Sequence, residues 1–155
     1  MVAVDMRLRD TERMDTSVDA MALARELVES ADIEWLRDLV DALDREVRVA
    51  PLDRLVALWD LSNAAAARLF GVSRQAFAKW LTDGPPASRV DDVATVDNIT
   101  QLLDRYVKRE RIPAVVRRPA ESLGGRSILE TVESGEYQRA AEAVAKTFDL
   151  RRIQP

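Results

Sequence analysis

Between residues 73 and 79 the sequence SRQAFAK sets Ser73, Arg74, Gln75, Ala78 and Lys79 on one side of a helix and Phe77 on the other. A hydroxyl, a guanidinium, an amide and an ammonium on one face suit phosphate oxygens and base edges. When a helix enters the major groove of DNA, its N-terminal residues lead. Catalysis has no comparable constellation. The chain contains neither cysteine nor histidine, which excludes thiol nucleophiles, zinc sites built on those residues, disulfides and imidazole acid–base chemistry. Its 27 carboxylates fall on helix surfaces with no glycine-rich phosphate loop and no nucleophile beside a base, the pattern of solvated faces. The expectation is a binding protein, not an enzyme, with no cofactor and no metal.

The segment that must hold those side chains is Leu61 to Leu81, LSNAAAARLFGVSRQAFAKWL. It reads as a helix-turn-helix. Ser62 can cap a helix running from Ala64 to Phe70, and Ser73 a second from Arg74 to Leu81. Gly71 stops the first, since glycine takes the left-handed turn without a Cβ penalty. Ala67 is small enough for the two helices to cross closely, and Phe70, Val72, Phe77 and Trp80 are spaced to point into a core. A plain helical hairpin shares much of this pattern.

With 155 residues, 47% hydrophobic and only five glycines, the chain is expected to be globular and all-α. Net charge is −4, unevenly placed: residues 1–50 hold seven basic and 13 acidic side chains, residues 51–90 five and three, and residues 91–155 eleven of each. The candidate DNA-reading segment is thus the only net basic one. One copy would bind DNA weakly, because phosphate neutralisation supplies much of the affinity, so a homodimer or larger assembly is expected. No apolar run is long enough to cross a membrane, and the N-terminus lacks the basic-then-apolar order of a signal peptide, which predicts a cytoplasmic location.

The remaining segments divide into an N-terminal part, 1–50, a helix-turn-helix domain with a following long helix, 51–109, and a C-terminal domain, 110–155. Residues 1–16 read as a charged arm. Helices are expected over 17–30, capped by Ser17, and over 32–47, capped by Asp32, where Leu36, Leu39, Val40, Leu43 and Val47 recur with Trp35 beside them. This hairpin reads either as packed on the core or as a dimerisation arm or site for a basic partner. Pro51 suits the first turn of a new helix carrying Leu52, Leu55, Val56 and Trp59. A helix from about Val90 to Arg109 follows, and its basic end (Arg105, Lys108, Arg109, Arg111, then Arg117 and Arg118) reads as a solvated face or as a phosphate or acidic-partner patch. Pro113 opens a short helix ended by Pro119, Gly124-Gly125 makes a turn, Ser127 and Glu130 match a capping box, and Gly135 precedes a last helix striped by Tyr137, Ala140, Ala141, Val144 and Phe148.

The order Pro119, Leu123, Gly124, Gly125, Leu129, Gly135 and Glu136-Tyr137-Gln138-Arg139, downstream of an Xre-like helix-turn-helix, resembles the toxin-binding domain of the Xre/MbcA/ParS antitoxins over about residues 51–150. Two features depart from that pattern. Val115-Val116-Arg117-Arg118 stands where many members have a tryptophan, and Ser127-Ile128 where many have Ser-Pro. The resemblance implies an Xre-like helix-turn-helix bundle and a small helical toxin-binding domain, behind the N-terminal helical hairpin read from periodicity alone. It also implies an antitoxin of a type II toxin–antitoxin system: a homodimer that covers the active site of a RES-domain, NAD-degrading toxin and represses its own operon by binding operator DNA. By that analogy Gly135, Glu136, Tyr137, Arg139 and the tail with Arg151, Arg152 and Gln154 are the toxin-facing candidates, Arg139 and the tail ahead of Tyr137, which reads as core, and Gly135, which reads as a cap. The other functional expectation is a stand-alone helix-turn-helix transcription repressor whose C-terminal half dimerises it.

Overall fold

The computed structural model describes residues 19–153. Every regular element among them is helical, so the chain is all-α: α1 (Ala20–Ser30), α2 (Ile33–Trp59), α3 (Asn63–Leu69), α4 (Arg74–Asp83), α5 (Val90–Tyr106), α6 (Ile112–Arg117), α7 (Ile128–Glu133) and α8 (Tyr137–Ile153), with short 3-10 turns between some of them. No helix among the described residues is long and apolar enough to cross a membrane. The chain divides into two compact units, residues 1–41 and 42–155. The segments 51–109 and 110–155, distinct in sequence, fall within the second.

In the first unit, α1 is capped by Asp19, whose carboxylate accepts the Met21 N–H at 3.0 Å; Ser17, the cap expected from sequence, lies outside the described residues. None of the residues of α1 is buried. Asp32 caps the start of α2 as expected, accepting the Glu34 N–H at 2.8 Å.

The anticipated new helix at Pro51 does not begin there. α2, 27 residues long in all, runs on through it to Trp59. Pro51 removes one donor, the one that would meet the Val47 carbonyl, and Val47 is exposed, so the carbonyl loses its partner on the solvent side. Beyond it Leu52, Leu55 and Trp59 are buried, as is Val49 just before it, and that burial outweighs one missing bond.

The second unit has one core. Leu52 and Trp59 of α2, Leu69 and Phe70 at the end of α3, Phe77 of α4 and Ile99 of α5 are each at most 1% exposed, and Val132 of α7 and Ala140 of α8 join them. α8 packs along α5, where Tyr106 and Phe148 stack with ring centroids 4.8 Å apart. Arg54 of α2 donates to both carboxylate oxygens of Asp97 on α5, at 2.8 and 3.1 Å. α5 ends at Tyr106, short of the expected Arg109, because residues 107–108 turn extended before a 3-10 turn at Arg109–Arg111. The indole N–H of Trp59 is buried with no hydrogen-bond partner among the described residues. Trp80 is also buried, whereas Trp35 is half exposed.

Candidate nucleic-acid and partner interface

The outward face is built by two caps and a turn. Ser62 Oγ accepts the Ala65 N–H and Ser73 Oγ the Ala76 N–H, each at 3.1 Å, so both α3 and α4 start where their serines predict. α3 ends at Leu69. Gly71 follows at φ 62°, and the Val72 N–H returns to the Ala67 carbonyl, closing the turn between the helices. Ala66 and Ala67 are buried, and α3 packs on α4. Phe70 stacks on Phe77 at 6.2 Å and tilts against Trp80 at 5.6 Å, which anchors the inner side of α4.

With Phe77 and Trp80 inward, Ser73, Arg74, Gln75, Ala78 and Lys79 are all exposed. The structure therefore brings the five candidate DNA-contacting residues onto one surface. Among the described residues, neither Arg74 nor Lys79 takes part in an ion pair, whereas Arg68 on the neighbouring α3 lies 3.5 Å from Glu133. Arg74, Gln75 and Lys79 thus offer unengaged donors along the outer side of α4, and the Ser73 hydroxyl, though used as an acceptor in the cap, keeps its proton to donate.

The C-terminal candidates are arranged differently. Ser127 and Glu130 form the expected capping box, with the Ser127 N–H donating to Glu130 at 2.8 Å; this bond holds the Glu130 carboxyl below its ordinary range. Glu136 sits between two arginines, Arg126 at 2.7 Å and Arg139 at 2.9 Å. The hydrogen bond from Arg126, then that from Arg139, holds its carboxyl at a pKa of about 2. Tyr137 turns inward. Its hydroxyl donates to the Leu69 carbonyl at 3.0 Å and its ring stacks on Phe70 at 6.1 Å, fastening the start of α8 to the end of α3. Burial raises the phenol's pKa. Glu136 and Arg139 are therefore at the surface, while Tyr137 belongs to the packing. Arg151 and Arg152 fall in the last turn of α8; their side chains and all of Gln154 lie outside the described residues.

The basic stretch after α5 is less uniform than its sequence. Arg117 reaches back to the end of α2, donating to the Trp59 carbonyl at 2.8 Å and the Asp60 carbonyl at 3.0 Å. It so satisfies carbonyls a helix end leaves open, beside an Asp60 in the left-handed region at φ 52°. Arg109 is paired with Asp104 at 2.7 Å, and Arg105 lies over the Tyr106 ring. Lys108, Arg111 and Arg118 remain exposed. The roles of Arg117 and Arg126 have no local sequence signal, because their partners lie in other elements; only the capping box at Ser127 marks where Arg126 would stand.

No metal-binding cluster of carboxylates occurs among the described residues. The chain matches no family model, no curated protein and no solved structure, so its own residues and geometry carry the functional reading.

Proposed function

We propose that this chain is a DNA-binding antitoxin of the Xre/MbcA/ParS type. In this reading α3 and α4 form a helix-turn-helix that reads operator DNA, and the C-terminal helices hold a RES-domain, NAD-degrading toxin, in a homodimeric assembly. The observation that carries the reading is the face of α4, where Arg74, Gln75 and Lys79 stand exposed and unengaged on a helix locked from behind by Phe77 and Trp80. The order of motifs from Pro119 to Arg139 behind that face supports the toxin-binding half. The surface position of Arg139 is compatible with contact to a partner, and Tyr137 serves the reading as a brace between the two halves.

Two measurements test it. Replacing Arg74→Ala together with Lys79→Ala is expected to weaken retention of the DNA upstream of the chain's own gene several-fold or more, since each side chain supplies a phosphate or base contact. Co-expression with the product of the neighbouring gene is expected to relieve that product's toxicity. A neighbour that is harmless, or that stays toxic with this chain present, overturns the antitoxin reading.

One observation favours a second reading, a stand-alone repressor. Glu136 is satisfied within the chain by Arg126 and Arg139, so this carboxylate needs no partner's cation. Recovery of a stoichiometric partner from the native host excludes it.

A further inference from the structure

Most of the large apolar side chains that the described residues leave exposed lie between residues 21 and 47. On α2 they form an ordered seam. Ile33, Leu36, Val40, Leu43 and Val47 follow one another at alternating steps of three and four, two heptads of a seven-residue repeat, with the half-buried Leu39 beside it. Ile33, Val40, Leu43 and Val47 are 60%, 63%, 55% and 72% exposed, so nothing among the described residues covers them. From these observations we propose that residues 33–47 of α2 pair in parallel with the same segment of a second copy of this chain, as a short two-stranded coiled coil.

The residue types select this occupant. Isoleucine or valine stands at every first position of the repeat (33, 40, 47) and leucine at every fourth (36, 43). β-Branched residues at the first position with leucine at the fourth favour two parallel strands over larger bundles. Charge is placed accordingly. Glu34, Asp38, Asp41 and Arg45 point away from the seam in this repeat, and Arg37, Asp44 and Glu46 stand at its flanks, so no charge falls in the seam itself. A short seam suffices because α2 is held as a helix further along by Leu52, Leu55 and Trp59 in the core, so pairing need not nucleate it. The inference rests on the reading above for its homodimer alone, and it is tested without DNA or any partner.

The experiment uses the full chain in three forms. By sedimentation, the native chain is expected to be a dimer in the micromolar range and the V40D/L43D variant a monomer whose circular dichroism remains helical, since neither residue is buried within one copy. Under mild oxidation V40C is expected to cross-link to a dimer through its only thiol, because a parallel seam sets the two copies of position 40 face to face. A native monomer, a V40D/L43D variant that stays dimeric or loses its helicity, or a dimeric V40C that does not cross-link overturns the proposal. A native monomer would also remove the homodimer from the functional reading, whereas a variant that stays dimeric or a V40C that does not cross-link leaves that reading standing; operator retention and toxin neutralisation are measured separately.

Discussion

Glu136 shows how much one side chain can alter the meaning of a motif. In the sequence it opens a helix and faces outward. In the structure Arg126 and Arg139 flank it, and its pKa lies at about 2, below the ordinary 4.5. A depressed carboxyl stabilises the fold in its charged form, so the contribution is complete above pH 4.5 and fades as pH falls toward 2. R126A is expected to raise the Glu136 pKa more than R139A does, because the Arg126 hydrogen bond is the larger cause; a carboxyl titration followed by nuclear magnetic resonance checks the order. Residue by residue, the candidates on α4 were legible because caps and aromatic spacing act within a few positions of one another. Tyr137 was legible as core from its stripe, but its partner was not: Leu69 lies in another helix, and only folding brings that carbonyl to the phenol.

The connections around α4 distinguish two kinds of glycine. Gly71 lies at φ 62° and a Cβ there would meet nothing within 4 Å. G71A therefore costs only the backbone term, about 1 kcal/mol. Gly84, which ends α4 at φ 84° and ψ 165°, occupies a region that is essentially glycine's own, and a Cβ there would come within 2.7 Å of the Arg48 Cβ. G84A is expected to cost about 2 kcal/mol or more, and the ranking of the two denaturation midpoints checks the contrast. The same scale explains where the sequence misleads. A proline normally marks a helix boundary, yet at Pro51 the burial of Leu52, Leu55 and Trp59 carries α2 onward. A cluster of arginines normally marks a solvated face or an anion site, yet Arg117 closes the end of α2 and Arg109 pairs with Asp104. Propensity and charge are local; these outcomes are decided by distant partners.

At the scale of the whole molecule, charge and hydrophobicity occupy different stretches. Residues 51–90 carry five basic against three acidic side chains, and residues 1–50 seven against 13. Added salt therefore acts in opposite directions. It is expected to weaken DNA retention by screening phosphate contacts, and to strengthen self-association by screening repulsion between two acidic segments that meet through an apolar seam. Parallel retention and sedimentation series over increasing salt check both signs. The all-α class was legible from composition, because few glycines and a high apolar fraction leave little else. The single core of residues 42–155 was not, because the break after the long helix, at 109–110 before Pro113, reads as a domain boundary until the packing between α5 and α8 is seen. The unequal burial of the three tryptophans has an optical consequence. Trp35 is 50% exposed beside the seam, Trp80 is 6% exposed at the back of α4, and Trp59 is fully enclosed. A soluble quencher reaches the first and not the others, so the native chain emits as two populations of fluorophore. Its quenchable part reports on the N-terminal helices, and its protected part on the core that supports α4.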